Sequence, residues 1–383
     1  MKFIKFSSPK IGNPEINSIK ETIKSRWIVR GKNESLLKKK FIKKFKKKYC
    51  IFFTSWTTGA YALFKILHEL YPKNREIIVP SLSFIASANA PHVAGFDVKL
   101  ADVDIKTYNM NLQNILSVVT KKTKFILTID QIGNPCELEK IYKFCKKKNI
   151  VLIHDAACSF GSKYKNKEIG HFSDFLIFSF HARKLITCGE GGALLTNNLK
   201  VYKKLNLFIN HGMTLDSYRR STSHPLNFEK YKNIGLNFRF NDIQASFLIS
   251  QFKQHENFIK IRRKISKIYD NFFLKYSSHI LIQEELPNAI SNRQSYMIIF
   301  KKKALRNKFI KFLFDYNIES RKGITSINTE DYYKKKYDTK LANSEFLSKN
   351  GVQIPMHANL SLKNVNYILK ITKKFLKNEK IIL

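Results

Sequence analysis

Residues 175–192 read FLIFSFHARKLITCGEGG, and this stretch decides how the rest of the chain is interpreted. Residues 175–180 are almost entirely apolar, which is typical of a strand buried on both faces. Open α/β sheets place their chemistry just beyond the carboxyl ends of their strands, where Lys184 stands in this chain. A lysine there can form a Schiff base with a carbonyl compound, although a single loop lysine is more often solvated. The rest of the sequence has to decide between these two interpretations.

Helical and short apolar segments alternate through the first two-thirds of the chain, which is typical of a mostly parallel sheet. Strands are predicted at residues 51–53, 76–80, 98–102, 124–129, 150–154, 175–180 and 193–196. Helices are predicted at residues 36–49, 57–71, 84–94, 137–147 and 241–274. The predicted fold is α/β, with a large domain in residues 1–250 built on a mostly parallel central sheet. A smaller α+β domain, which includes most of the linking helix, is predicted in residues 251–383.

The formal charge of +40 comes from 69 lysines and arginines against 29 aspartates and glutamates. Such a charge is compatible with a nucleic-acid-binding protein. However, the lysines are spread along the whole chain on polar helix faces, and no zinc-finger or RNP motif accompanies them. We therefore expect no specific nucleic-acid partner. The charge reflects compositional drift or a surface for polyanions, and its field can steer an anionic substrate.

The cysteines and the N-terminus indicate the cellular compartment. The five cysteines are an odd number and form no C-x-x-C pair, so we expect free thiols in a reducing cytosol and no metal site. The first residues, MKFIKFSSPKIGNPE, lack a long apolar core, and no apolar run approaches the ~20 residues of a membrane span. A cytoplasmic protein without a membrane partner is predicted.

Asp155 ends the apolar segment that begins at Ile150, so it is expected at the same sheet edge as Lys184. A carboxylate in this place can pair with a protonated pyridine nitrogen and keep a pyridoxal cofactor an electron sink. Alternatively, Asp155 is the N-cap of a helix that starts at Ala156. The small side chains of Ala156 and Ala157 leave room for a flat ring.

Three further segments are candidates for binding a cofactor. The hydroxyl-rich turn 54–58 precedes a helix, whose N-terminus favours a phosphate. Alternatively, its Ser and Thr side chains only cap the helix, which gives the same sequence pattern. Phe84 follows a predicted strand and can stack on a ring, but a phenylalanine usually belongs to the core. Asn237 offers an amide in a tight turn before the long helix.

Together these pieces resemble the DegT/StrS-type sugar aminotransferases, which are pyridoxal phosphate enzymes of fold type I, the aspartate-aminotransferase-like fold. The resemblance runs through nearly the whole chain. Its motifs are WIVRG (27–31), PSLSFIASANA (80–90), GNP (133–135), HDAACSFGSKYKNKEIG (154–170), SFHARKLITCGEGG (179–192), GLNFRFNDIQAS (235–246) and SRKGI (320–324). Two departures from the family pattern are Cys158, where many relatives have glutamine, and Asp130, where histidine is common.

The resemblance implies a role for each candidate residue. The implied catalytic residues are Lys184, as Schiff-base lysine and proton carrier, and Asp155, as partner of the pyridine nitrogen. The implied cofactor-binding residues are Thr57, Thr58, Phe84, Asp155, Cys158, Ser179, Lys184 and Asn237. In this family the phosphate is held by Thr57, Thr58 and Ser179, the ring by Phe84, and the ring hydroxyl lies near position 158. Asn237 would reach the cofactor of a neighbouring subunit, which implies a homodimer.

The implied reaction moves an amino group from an amino acid, typically L-glutamate, to a keto-sugar carried on a nucleotide, with pyridoxamine phosphate as the form between the two half-reactions. A sister group of dehydratases has histidine in place of the lysine, so Lys184 favours transamination. The alternative is a non-catalytic relative that keeps the fold and binds sugar nucleotides or regulates. Arg321 and His357 are candidate contacts for an anionic substrate.

Overall fold

The computed structural model describes residues 2–215, 220–221, 224, 226–302, 304–337 and 339–381. Its strands are β1 (Tyr49–Phe53), β2 (Glu76–Pro80), β3 (Asp97–Ala101), β4 (Thr123–Ile129), β5 (Val151–Asp155), β6 (Lys163–Tyr164), β7 (Lys167–Glu168), β8 (Phe175–Ser179), β9 (Gly192–Thr196), β10 (Ile280–Ile282), β11 (Ala289–Ile290), β12 (Tyr296–Phe300), β13 (Arg321–Lys322) and β14 (Gly351–Ile354). Its helices are α1 (Asn13–Lys24), α2 (Lys32–Phe45), α3 (Trp56–Leu70), α4 (Ala86–Val93), α5 (Leu112–Leu116), α6 (Leu138–Lys147), α7 (Leu199–Phe208), α8 (Asp242–Phe273), α9 (Leu305–Asp315), α10 (Asp331–Lys336), α11 (Ala342–Asn350) and α12 (Leu362–Asn378).

A seven-stranded sheet in the order β1-β9-β8-β5-β4-β2-β3 forms the centre of the molecule. The pairs β8–β5, β5–β4, β4–β2 and β2–β3 are parallel, whereas β9 is antiparallel to both of its neighbours. Six strands therefore point the same way, and their carboxyl ends meet at one edge. The predicted mostly parallel sheet of an α/β fold is confirmed.

Both faces of the sheet are covered over its inner strands, which explains why β8 and β9 are almost entirely apolar, whereas the edge strand β3 exposes Asp97 and Lys99. In β2, Ile77 and Val79 pack in the core on the side of α3, α4 and α7, while Ile78 packs in the core on the opposite side, together with residues of α6. In β8, Ile177 lies on the first side, and Phe178 packs on the second side with Phe41 of α2. The sheet is the middle layer of a three-layer arrangement.

A second, antiparallel sheet in the order β10-β12-β14-β13 has its own core. The 32-residue helix α8 contributes to both cores, with Leu248 on the large sheet and Tyr269 and Phe273 on the small one. Ile4 near the N-terminus also packs in the second core. The domain division at residue 250 stays a prediction.

Most element boundaries agree with the pattern of the sequence. The predicted long helix 241–274 is α8, which differs by one residue at each end. The predicted helix 36–49 is α2, but it ends at Phe45 because Lys46 adopts the left-handed conformation with φ 52°. Tyr49 then pairs with Thr196 in the sheet. Helices α1 and α7 were not predicted. No helix in the described ranges is both long and apolar enough to cross a membrane.

Gly192 joins the sheet to the first turn of α3. It pairs with Ser179 on one side and Phe53 on the other. A Cβ at this position would lie 2.7 Å from the Ser55 carbonyl oxygen and 2.8 Å from the Trp56 nitrogen. Only glycine allows the two backbones to approach so closely.

We expect Gly192→Ala to lower the free energy of unfolding by ~1–3 kcal/mol, because backbone atoms must move to admit the methyl group. It should also displace the first turn of α3. The control is Gly12→Ala, where the new Cβ would meet only Pro14 Cδ at 3.7 Å. Urea denaturation of both variants measures the difference, and equal losses would contradict the close approach.

Candidate active site

The carboxyl edge of the large sheet brings Asp155 and the Lys184 loop together. Ile129, Asp155 and Ile177 lie side by side on three adjacent parallel strands. Two residues after Ile177 the chain leaves β8 and folds back through a tight loop, in which the Phe180 nitrogen donates to the Gly191 carbonyl at 2.8 Å. Lys184 lies within this loop, and its charge acts on Asp155.

Asp155 is a buried carboxylate with little compensation from the protein. It is 4% exposed, and its Oδ1 accepts a hydrogen bond of 2.9 Å from the Ala157 nitrogen. Burial raises the pKa of Asp155 to about 6, against the opposing effects of that hydrogen bond and of the charges of Lys184 and His154. Among the described residues, Oδ2 has no hydrogen-bond donor. The carboxylate is therefore prepared for a cationic partner.

Lys184 is half-buried, and its Nζ donates to Cys158 Sγ at 3.3 Å. Cys158 lies in the loop that directly follows β5. The structure thus brings the predicted residues Asp155, Cys158 and Lys184 together at the carboxyl edge of the sheet. A primary amine beside a thiol and a carboxylate is suited to covalent bonding with an aldehyde and to proton transfer.

The first turn of α3 provides a phosphate-binding arrangement. The Thr58 nitrogen donates to Ser55 Oγ at 3.1 Å, so Ser55 caps the helix and occupies the Thr58 amide. The amides of Trp56 and Thr57 have no partner among the described residues and stand at the positive end of the helix dipole. Ser179 lies at the same edge because it pairs with Gly192, which contacts this turn.

Phe84 and Asn237 are both exposed in the single chain. Phe84 follows β2 at the carboxyl edge and is 70% exposed, which is unusual for a phenylalanine and leaves its face available for stacking. Asn237 lies beside the α3 turn, since the Phe238 carbonyl accepts a 3.2 Å hydrogen bond from the Thr54 nitrogen. Within the described residues, the Asn237 side chain accepts only a long, 3.4 Å contact from the Arg239 nitrogen.

A buried polar network beneath the site was not predicted from the sequence. Asp130 is fully buried, and its Oδ2 lies 2.7 Å from both His154 Nε2 and Ser159 Oγ. Its Oδ1 accepts a hydrogen bond from the Cys136 nitrogen at 2.9 Å. This network ties the end of β4 to the loop that carries Cys158. The sequence signal for this network was that Asp130 stands where histidine is common in the family.

His357 and Arg321, the two candidate contacts for an anionic substrate, differ in charge and in exposure. His357 is buried, and burial together with the nearby Arg262 lowers its pKa to about 4, so it is uncharged at neutral pH. It therefore offers no positive charge to an anion. Arg321 is exposed and donates to the carboxylate of Glu319.

A sequence model of the DegT/DnrJ/EryC1/StrS aminotransferase family matches residues 9–373. The chain belongs to this family. The GDP-perosamine synthase of Escherichia coli O157:H7 is 30% identical to it over 381 residues, which are 98% of this chain and 99% of that protein. The UDP-4-amino-4,6-dideoxy-N-acetyl-beta-L-altrosamine transaminase of Helicobacter pylori is 28% identical, covering 100% of both chains.

Among solved structures, Helicobacter pylori PseC, an aminotransferase involved in the biosynthesis of pseudoaminic acid, is similar throughout. It is 26% identical, with a TM-score of 0.91 that covers 98% of this chain and 100% of that one. This similarity confirms the predicted fold type. The family membership likewise confirms that the chain is an aminotransferase that uses pyridoxal phosphate.

The residues of the site fit pyridoxal phosphate on observations of this structure. The free Oδ2 of Asp155 can accept a hydrogen bond from a ring N–H, and the unpartnered amides of Trp56 and Thr57 can donate hydrogen bonds to a phosphate. The exposed ring of Phe84 follows a neighbouring strand at the same edge. Lys184 supplies the amine.

Replacing Asp155 with asparagine should stabilise the cofactor-free protein at neutral pH. Because the native pKa is raised from 3.8 to about 6, the native state binds this proton more tightly than the unfolded chain does. The stability of the cofactor-free protein therefore falls as pH rises from about 4 to about 6, by roughly 3 kcal/mol from this group. Asp155→Asn should remove that fall.

Urea unfolding of the cofactor-free protein at pH 4 and pH 7 measures this effect. The control is Asp315→Asn, which changes a 51% exposed carboxylate on α9 and should leave the pH dependence as in the wild type. A loss of stability at pH 7 in Asp155→Asn would mean that the buried charge is already compensated. The same variant should lose aminotransferase activity, since an amide cannot balance a ring cation.

Proposed function

We propose that this protein transfers an amino group from L-glutamate to a keto-sugar nucleotide, in the biosynthesis of amino-deoxy sugars for surface polysaccharides or other glycoconjugates. The observation that carries the proposal is the Lys184 amine, which lies beside the buried Asp155 in a family of aminotransferases. The names of the perosamine synthase and the altrosamine transaminase support the substrate class. A cytoplasmic location stays part of the proposal.

Lys184 and Asp155 divide the chemistry between them. When bound, pyridoxal phosphate supplies an electron sink for the bonds that break at the donor's α-carbon. Asp155 holds a positive charge at the ring nitrogen and thereby stabilises the charge that develops in the ring. With the cofactor bound, the amine of Lys184 would carry a proton between the donor's α-carbon and the cofactor's aldehyde carbon.

The other residues orient and hold the cofactor. The first-turn amides of α3 and the hydroxyl of Ser179 would bind its phosphate and would hold the cofactor independently of Lys184. Phe84 covers one face of the ring. Because amino donor and keto-sugar use this one cleft in turn, we expect ping-pong kinetics. The net charge of +40 favours the approach of an anionic nucleotide.

A non-catalytic relative that binds sugar nucleotides is the second candidate function. It requires only the fold and the binding residues, so a silent protein would tolerate the loss of Lys184 or Asp155. This chain has both groups in one cleft. The dehydratase alternative is disfavoured by the same lysine.

Incubation with L-glutamate and a panel of keto-sugar nucleotides, followed by mass spectrometry, tests the proposal. We expect 2-oxoglutarate and one aminated sugar nucleotide. Lys184→Ala should bind the cofactor without a covalent bond. Its turnover should fall by at least roughly 10³-fold, because the proton carrier is gone. Lys184→Arg should not restore activity, since a guanidinium stays protonated.

The control for these variants is Lys311→Arg, a 79% exposed lysine on α9, which should keep wild-type turnover. Borohydride should fix the cofactor onto one peptide, the one that contains Lys184. Turnover in either Lys184 variant, or labelling of another peptide, would refute the assignment.

We also propose that the active form is a homodimer with sites shared between two chains. Exposed Asn237 is the residue that the family resemblance assigns to a neighbouring cofactor. Just before it, Leu226, Phe228, Tyr231 and Ile234 are 73, 72, 67 and 92% exposed. Such a concentration of large apolar side chains on one segment is typical of a surface that a partner covers.

Mixing a Lys184→Ala chain with an Asn237→Ala chain tests the shared site. If Asn237 acts on the partner's cofactor, each mixed dimer has one doubly damaged and one intact site. Random mixing should then restore roughly a quarter of wild-type activity, since half of the dimers are mixed.

The matched control mixes Lys184→Ala with Asp155→Asn. These residues interact within one chain, so no mixed dimer has an intact site and no activity should return. Recovery in the control, or none in the test mixture of two folded variants, would contradict sharing. Sedimentation of a cofactor-loaded monomer at micromolar concentration would do the same.

A further inference from the structure

Residues 291–294 connect β11 to β12, and they are anchored from outside by the long helix α8. Arg263 Nη1 donates to the Ser291 carbonyl at 2.7 Å, and Arg262 Nη1 donates to the Gln294 carbonyl at 2.6 Å. Arg262 is itself buried, and it donates its hydrogen bonds to main-chain carbonyls. These two arginines of α8 thereby fix the backbone of the segment at its first and last carbonyls.

The side chains of Asn292 and Gln294 reach the loops of the active site, whereas Arg293 pairs with Asp270 of α8 and with Glu285. Asn292 Nδ2 donates to the carbonyls of Cys158 and Phe160, both at 2.9 Å. Gln294 Nε2 donates to the carbonyl of Arg183, the residue directly before Lys184, at 2.5 Å. Two amide side chains thus bind the loop after β5 and the loop after β8.

The loop after β4 meets the same segment. Gly133 has φ +95°, and a Cβ there would lie 2.0 Å from Asn292 Oδ1. The Gly133 carbonyl accepts a 2.8 Å hydrogen bond from Ser162 Oγ, which also accepts one from the Asn292 nitrogen at 2.9 Å. The glycine of the GNP motif therefore makes room for Asn292, and three loops at the carboxyl edge contact one short segment.

In both Asn292 and Gln294 the amide nitrogen donates hydrogen bonds, whereas the amide oxygen accepts none within the described residues. Both residues are at least 95% buried, yet Asn292 Oδ1 and Gln294 Oε1 have no hydrogen-bond partner among the described residues. We therefore attribute the role of each amide to the hydrogen bonds that its N–H groups donate. A residue needed only to fill space would be better served by an apolar side chain of the same size.

We propose that Asn292 and Gln294 are positioning residues for the aminotransferase reaction, two amide donors that fix the Cys158 loop and the Lys184 loop relative to Asp155. Neither touches the reacting atoms. Their effect reaches the chemistry through the carbonyls of residues 158, 160 and 183. The inference rests on the proposed function for the roles of Lys184 and Asp155 and for the identity of the amino donor, L-glutamate.

Gln294→Met and Asn292→Leu remove the donors and keep similar side-chain volumes. Because the Gln294 oxygen has no partner, Gln294→Met deletes a single hydrogen bond. The matched control is Asn350→Leu, at a buried amide that donates to the Phe300 carbonyl at 2.7 Å beside the second sheet. This control carries the ordinary stability cost of losing a buried amide.

The first readout is the pyridoxal-phosphate-loaded enzyme without substrate. Its visible circular dichroism per bound cofactor and its rate of borohydride fixation report how Lys184 and the ring are held. We expect both to fall in Gln294→Met and Asn292→Leu and to stay at the wild-type level in Asn350→Leu. The melting temperatures of all three variants should fall by similar amounts.

The second readout is the half-reaction with L-glutamate. Its maximal rate should fall roughly 10- to 100-fold in the two test variants, since small misplacements at a reacting centre cost this much. The KM for glutamate should change by less than about threefold, because donor binding is not the step affected. Asn350→Leu should keep the wild-type rate.

The proposal is overturned if the two test variants lose melting temperature like Asn350→Leu but keep wild-type dichroism and borohydride rates. If Asn292→Leu does not fold, Gln294→Met decides, since it removes one bond only. A wild-type enzyme that ignores glutamate would refute the proposed donor. The dichroism and borohydride results would still decide on the positioning role, because they need no amino donor.

Discussion

The burial of Asp155 is the constraint on which the rest of the site depends. Removing a carboxylate from water is costly unless a cation or several donors compensate, and here the protein supplies one amide N–H and the nearby Lys184. The raised pKa of Asp155 reflects a burial cost that these groups do not fully offset. In the proposed function a ring cation would complete the balance, so that binding free energy and the stabilisation of developing charge would come from the same carboxylate.

The sheet topology explains how a carboxylate, an amine and a phosphate-binding turn meet. Parallel strands β5 and β8 deliver Asp155 and the Lys184 loop to one edge. The antiparallel strand β9 returns from that loop, and its first residue, Gly192, lies against the first turn of α3. One reversed strand therefore links the Lys184 loop to the first turn of α3, and the absence of a Cβ at Gly192 allows their close approach.

Much of this arrangement was predictable because its signals are local. Short apolar runs that end in Asp155 or precede Lys184 identify buried strands with polar groups at their ends, and the four-residue periodicity of α2 identifies a helix. Helix α2 shows where local signals fail. Its polar and apolar pattern continues to Tyr49, but pairing of Tyr49 with Thr196 draws these residues into the sheet. Long-range pairing outweighed local propensity there.

The sequence by itself determined the fold class and the family and singled out Lys184 and Asp155 as candidates, because strand and helix periods and a long ordered set of motifs are all local properties of the chain. Tertiary structure alone decided that Asp130 lies under the site and that Asn292 and Gln294 hold its loops. These residues are far from Lys184 in sequence, and an isolated Asn, Gln or Asp carries no local signal of its partners. Their roles arise only when the fold buries them against particular carbonyls, since a buried polar group acquires its function from what it must bind.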